Sequence, residues 1–236
     1  MIRKLAFIAL LIVSNYACAQ NTKTICVKIN ELNNSILIGR IKKQDAIAPF
    51  KALMASLRQS VSLAKSGNWT FPLQGYAAAA IGGVRGNGYS DKGYNYFDGN
   101  KHAAHPAHDI FINDKNQDGI DDKTQQPVNV LTIADGVVIA CSNEWDEHSD
   151  LRGGRYIWIY HPQLNMISYY AHNRAIFVTP GDVLKQGQKI AEVGRTGFNA
   201  FKKRSPTHLH FGTYSLQTGL PLPFNGYKEL IKAQIG

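Results

Sequence analysis

Four histidines and one aspartate stand at spacings that suit hydrolytic chemistry: His105-Pro-Ala-His-Asp109 at mid-chain, Tyr170-Ala-His172 further on, and Thr207-His208-Leu-His210 near the end. Imidazole nitrogens and a carboxylate oxygen are the donors of a water-activating zinc site, in which three protein ligands leave a fourth position for water. His105, Asp109 and one histidine of the final pair would fill that role, with imidazoles to spare for proton transfer. The segment from Thr207 to Tyr214 reads as a strand. Side chains alternate across a strand, so His208 and His210 share a face about 7 Å apart along the chain. One can bind a metal while the other reaches the substrate beside it. The Ile110-Phe-Ile112 run also reads as buried strand and would hold Asp109 at a rigid edge.

With these motifs the chain resembles the lysostaphin-type (LytM-like) zinc metallopeptidases, whose fold is called the duplicated hybrid motif. That family carries His-x-x-x-Asp, then Tyr-Ala-His, then His-x-His, and all three stand here. The intervening scaffold is similar too, in Ile133-Ala-Asp-Gly-Val-Val and in the run from Val178-Thr-Pro-Gly to Val193-Gly-Arg-Thr-Gly197. The similarity covers roughly Phe71 to Tyr214. It implies a mainly β fold in which antiparallel sheets form a substrate groove. It also implies His105, Asp109 and His210 as zinc ligands, His172 and His208 as catalytic histidines, and peptidoglycan cross-bridges or stem peptides as substrate. Of the neighbours His102, His105 and His108, only His105 has the family spacing to Asp109. The other two are expected beside the ligands or on the surface. His148 and His161 fall in or beside hairpin loops and are expected to be solvated.

Two other readings compete. A non-enzymatic member of the same fold would bind cell wall or activate an amidase, but such relatives lose ligands and none is missing here. A biotinyl or lipoyl carrier domain shares the pattern Pro180-Gly-Asp-Val-Leu-Lys-Gln-Gly-Gln, yet no modifiable lysine motif is evident. It would also leave the histidines unexplained.

A second metal signal follows five residues after Asp109. Asp114, Asn116 and Asp118 occupy positions one, three and five, with Gly119 at six, as in the first half of an EF-hand loop. Calcium binding through Asp114, Asn116, Asp118, the Ile120 carbonyl and Asp122 is one expectation. A metal-free polar turn is the other, because Gln125 replaces the bidentate glutamate and the flanks read as strand.

The rest of the chain must position these groups. Its 236 residues suffice for one β domain plus an extension. Residues 1–19 read as a secretory signal: Met-Ile-Arg-Lys, a short apolar run from Leu5 to Val13, and a small-x-small site at Ala17-Cys-Ala19. That run is too short for a membrane span. An exported protein of the periplasm, envelope or extracellular space follows, with lipidation at Cys18 as the alternative. The net charge of +9 falls to +7 without the leader, a balance that suits an anionic polymer; no nucleic-acid motif accompanies it. Cys26 and Cys141 remain, and an oxidising compartment would favour a disulfide between them.

Residues 20–70 read as an extension with one amphipathic helix, marked by Ile47, Phe50, Met54, Leu57 and Val61, with Pro49 in its first turn and Gly67 at its end. It is expected to brace the enzyme domain, residues 71–236, or to regulate it. Strands are predicted over 128–134, 136–142, 155–161, 166–172, 189–193 and 207–214, with a hairpin closed at Leu164-Asn165. Loops at 143–152 and 198–206 are longer than the family's compact pattern and would shape the groove walls. Lys202-Lys203-Arg204 in the second could meet substrate carboxylates or simply be solvated.

Overall fold

A computed structural model describes residues 2–63, 67–101, 104–202 and 205–236, with side chains described from residue 19 onward. The expectations for His102, Lys203, Arg204 and the Cys18 side chain lie outside the described residues.

Among the described residues ten strands form two sheets, and every pairing of those strands is antiparallel. They are β1 (Ala107–Phe111), β2 (Asn129–Leu131), β3 (Gly136–Ser142), β4 (Tyr156–His161), β5 (Met166–Ala171), β6 (Asn173–Ile176), β7 (Val183–Leu184), β8 (Lys189–Val193), β9 (His208–Ser215) and β10 (Leu222–Pro223). The larger sheet runs β1-β9-β5-β4-β3-β7, with β10 also paired to β9. The smaller runs β2-β8-β6. The mainly β architecture therefore stands as expected, and the β4–β5 hairpin turns through a left-handed Asn165 (φ 48°).

Between the sheets lies one apolar core, built on Phe71, Leu73, Ile110, Val130, Ile133 and Phe211 among others. The other face of the large sheet is covered by two helices, α1 (Ile2–Leu37) and α2 (Lys43–Ser60). Here Cys26, Ile29, Phe50 and Leu57 pack with Val137, Ile139, Trp158 and Ile167. Strand β4 shows the result: Ile157 and Ile159 face the first core, Tyr156, Trp158 and Tyr160 the second, and all six of its residues are buried. A strand covered on both faces reads as a continuous apolar run, as this one does.

The extension departs from the single helix expected. Helix α2 is there, with Pro49 inside it and Val61 as its cap, and Gly67 lies beyond it. A second helical stretch precedes it, where Ile25, Cys26, Ile29 and Ile36 are buried at steps of three and four. Asn33 shares that face and accepts a hydrogen bond from Tyr96 Oη (2.9 Å) while donating to Tyr156 Oη (2.9 Å).

The expected disulfide is not formed. Cys26 and Cys141 are both thiols, and burial pushes Cys26 up to about 12 and Cys141 to about 11. Cys26 is enclosed by the helical core, while the Cys141 thiol turns to the Val178 carbonyl (3.6 Å). His161 is also corrected: it is fully buried, with Nδ1 bonded to the Asp135 carbonyl (2.9 Å) and Nε2 to Ser168 Oγ (2.7 Å). Gly136 makes the room, since a Cβ there would come within 2.8 Å of His161 Nδ1. His148 is exposed.

Candidate active site

Sheet register brings the central pair together. On β9, His210 lies directly across from Asp109 of β1 on one side and from Ala171 of β5 on the other. Directly opposed residues on one face have Cβ atoms about 4.5–5.5 Å apart, so the two side chains must meet. His210 Nδ1 is 3.0 Å from Asp109 Oδ1. His105 enters from just before β1, where its backbone exchanges two hydrogen bonds with Ser90, and its Nε2 is 3.2 Å from the same Oδ1. Ligand atoms of His105, Asp109 and His210 all lie within 4.8 Å of one another, the one such group of His, Cys, Asp or Glu among the described residues.

The donor chemistry fits a metal cation. His105 Nδ1 is 3.0 Å from the Gly88 carbonyl and must donate to it, which turns the Nε2 lone pair toward Asp109. Two imidazole nitrogens aimed at one carboxylate oxygen need protons or a cation between them. Without a metal, protons serve: the hydrogen bond to Asp109 raises His105 above the ordinary imidazole range. Burial works to raise Asp109, but the hydrogen bonds from His105 and His210 outweigh it and hold the carboxyl well below the usual carboxylate range. His210 is lowered, chiefly by burial. Zinc takes this kind of N/O donor set and displaces the protons.

The two remaining histidines flank the triad. His208 shares the face of His210; its Nδ1 donates to the Pro206 carbonyl (2.7 Å) and its Nε2 is 3.6 Å from Asp109 Oδ1. His172, just past β5 with φ of 66°, has its Nδ1 on the Thr196 carbonyl (2.7 Å), and its ring centre is 5.0 Å from that of His208. Burial drives His172 well below the ordinary imidazole value, and the nearby His208 and His210 reinforce this. Gly197 is required here for two reasons: its φ is 103°, and a Cβ would sit 2.8 Å from His172 Nδ1 and 2.4 Å from the Arg152 carbonyl.

His108 is on the opposite face of β1, buried, with Nε2 bonded to Asn225 Oδ1 (3.0 Å) and its ring stacked on Tyr89. The register that points Asp109 at His210 sends His108 away from the site. The acidic loop is used as a hydrogen-bonded turn. Asp114 accepts from Gly119 N (2.8 Å), Asp118 N (3.1 Å) and Thr207 Oγ1 (2.5 Å), Asp118 from Ile120 N (2.8 Å) and Asp122 from Lys115 N (3.0 Å). Asn116 bonds to Asp118, and the three aspartates form no cluster like that of the histidine site. Of the five proposed calcium ligands, the side chains of Asp114, Asn116, Asp118 and Asp122 thus have hydrogen-bond partners within or beside the turn. Its reach to Thr207 ties the turn to the residue that precedes His208.

A cavity of about 110 Å³ opens beside His172 and His210, floored by Trp158, Tyr169 and Tyr214. One wall is the end of α1, through Asn33, Ile36 and Leu37. Sequence reasoning missed this wall; the steps of three and four from Ile25 to Ile36 were the available signal, interrupted by polar residues.

Residues 115–221 match the model of Peptidase family M23. That segment, a little under half of the chain, is similar to a domain of that family. The match to the M23 model contains His172, His208 and His210 and begins after His105 and Asp109, which the fold alone brings to them. A lipoprotein NlpD/LppB homolog of Pseudomonas aeruginosa is 37% identical over 94 residues, 39% of this chain and 27% of the relative; the match spans about a quarter of that relative's length. Among solved structures, the chain is similar to the lytM protein of Ruminococcus gnavus, at 22% identity, 81% and 72% coverage of the two chains and a TM-score of 0.48. It is also similar to lysostaphin of Staphylococcus simulans, at 22% identity, 73% and 57% coverage and a TM-score of 0.44.

Proposed function

We propose that this chain is a zinc metalloendopeptidase that hydrolyses peptide bonds in the cross-bridges or stem peptides of peptidoglycan. The observation that carries this reading is the convergence of His105, Asp109 and His210 within 4.8 Å, with two further imidazoles at its edge. His105 Nε2, Asp109 Oδ1 and His210 Nδ1 would hold the ion. Zinc held there would act as a Lewis acid, polarising a carbonyl and lowering the pKa of water.

The chain's own groups divide the remaining work. Burial keeps His172 neutral, and its Nδ1 is committed to the Thr196 carbonyl, so its Nε2 lone pair accepts the proton of the attacking water. His208, whose Nε2 lies 3.6 Å from Asp109 Oδ1, is the remaining imidazole and stabilises the oxyanion that develops on the scissile carbonyl. Aromatic walls beside His172 and His210 exclude water from the peptide that lies across them.

Residues 1–19 act in this reading as an export signal, and the protein works in the cell envelope, periplasm or extracellular space. The lipoprotein relative and the basic charge balance support that placement. Peptidoglycan is the partner. Among the described residues no helix is long and apolar enough to cross a membrane.

The test is mass spectrometry of purified muropeptides incubated with zinc-loaded protein. New peptide termini should form, vanish with a chelator and return with zinc. Unchanged muropeptides with folded, zinc-loaded protein would instead support a binding or amidase-activating module.

A further inference from the structure

The two loops that exceed the family pattern meet the acidic turn beside Thr196. There they line an open cavity of about 360 Å³. Trp145 comes from the first loop and Phe201 from the short helix α3 (Phe198–Phe201) of the second; their rings are 5.3 Å apart at 62°. Arg155, Arg174 and Arg195 reach the cavity from β4, β6 and the end of β8. Asp118 is the one carboxylate in the lining, and Asp114 acts on Arg195 from behind it, so three arginines stand against two carboxylates.

Three residues of this lining also carry, beneath its surface, a buried polar atom with no hydrogen bond among the described residues: Trp145 Nε1, Arg195 Nε and Gln117 Oε1. Buried donors and acceptors are nearly always paired, and each one left unpaired costs about 1–3 kcal/mol. Elsewhere the arginines are fastened. Arg195 donates to Thr207 Oγ1 and to the Ala200 and Ser205 carbonyls, and Arg155 donates to the Asn143 and Arg174 carbonyls. These bonds fix the positions of both guanidinium groups. Arg174, by contrast, is exposed, and its guanidinium has no partner among the described residues.

We propose that this cavity is an accessory substrate site that binds a carboxylate-bearing segment of peptide beside the catalytic centre. Arginine forks match carboxylates in charge and shape. The Trp145–Phe201 pair supplies an apolar wall for the chain between them. Thr196 joins the two sites: it lines this cavity, its carbonyl orients His172, and its hydroxyl accepts from Arg155 N (2.9 Å). Peptide held here is therefore registered against the residue that positions His172. The inference rests on the peptidoglycan reading for the identity of the peptide, but binding itself does not require the metal.

The experiment is calorimetric titration of the full chain, zinc-stripped to prevent cleavage, with soluble muropeptides bearing free carboxylates and with the same muropeptides after carbodiimide amidation. Free carboxylates should bind at least about tenfold tighter, and Arg174→Ala should remove most of that difference. Arg174→Lys, which keeps the charge but not the fork, should recover part of the loss. Arg174 is exposed, so a thermal melt should show its variants folded as the wild type. Equal affinity for free and amidated peptides, or unchanged affinity in Arg174→Ala, overturns the proposal. If Arg174-dependent binding is found but zinc-loaded protein cuts nothing, the accessory site stands and the hydrolase reading fails. Cleavage with no carboxylate preference sinks the accessory site alone.

Discussion

Thr207→Val probes how the turn after β1 supports the active site. Thr207 is 1% exposed, and its hydroxyl donates to Asp114 Oδ2 (2.5 Å) while accepting from Arg195 Nη1 (2.8 Å). Valine keeps the volume and deletes both bonds. Each involves a charged group, for which about 1.5–3 kcal/mol is typical. Asp114 keeps its bonds from Gly119 N and Asp118 N, and Arg195 keeps two carbonyls, so the loss should fall near about 3 kcal/mol rather than at the full sum. For a domain of this size that lowers Tm by about 6–12 °C. The assay is a thermal melt of zinc-loaded protein, with Asp114→Asn and the double variant completing a cycle. The effects should be less than additive, since each single variant breaks the same bond. Millimolar calcium should leave the wild-type melt unmoved, because the loop's carboxylates already serve its backbone. A loss under about 1 kcal/mol, full additivity, or a calcium shift absent from Asp114→Asn would refute this account of the turn.

Other variants separate further roles. His210→Ala should lose zinc and activity together, by metal analysis and peptide cleavage, whereas His172→Ala should retain zinc and lose about a hundred- to ten-thousandfold in turnover. His108→Ala, on the far face of β1, should keep zinc and show its cost in the melt alone. His161 is held neutral by burial, which brings it down to about 4 from the ordinary 6.5. The unfolded chain therefore takes up a proton first as pH falls, and stability present above pH 6.5 is lost on the way to about pH 4, by about 3 kcal/mol. Denaturant titrations at pH 7 and 4.5 should show that much less pH dependence in His161→Gln. Asn33→Ala deprives the Tyr96 hydroxyl of its acceptor and should cost about 1–3 kcal/mol in the same titration, showing that α1 is part of the folded unit.

Several features were legible in the residues alone because they depend on local period. His208 and His210 share a face because strand side chains alternate, and β3 and β8 have the bounds that their apolar runs predict. The His-x-x-x-Asp, Tyr-Ala-His and His-x-His motifs name the site's members in any conformation. Other features depended on partners far along the chain. His210 meets Asp109 only because β9 pairs with β1 in one register; a slip of one residue would put His108 in its place. His161 looks like a loop residue until Gly136, from the neighbouring strand, makes room for its ring. The polar residues between Ile25 and Ile36 hid a buried helix face, since Asn33 is satisfied only by two tyrosine hydroxyls distant in sequence. The acidic loop has the composition of a calcium site, but only the fold shows that its carboxylates accept from the loop's own backbone and that Asp114 also accepts from Thr207, ninety-three residues away. Composition and spacing determine which groups are present and which face of an element they occupy. Long-range pairing decides which of those groups meet, because burial charges a polar group for every partner it lacks.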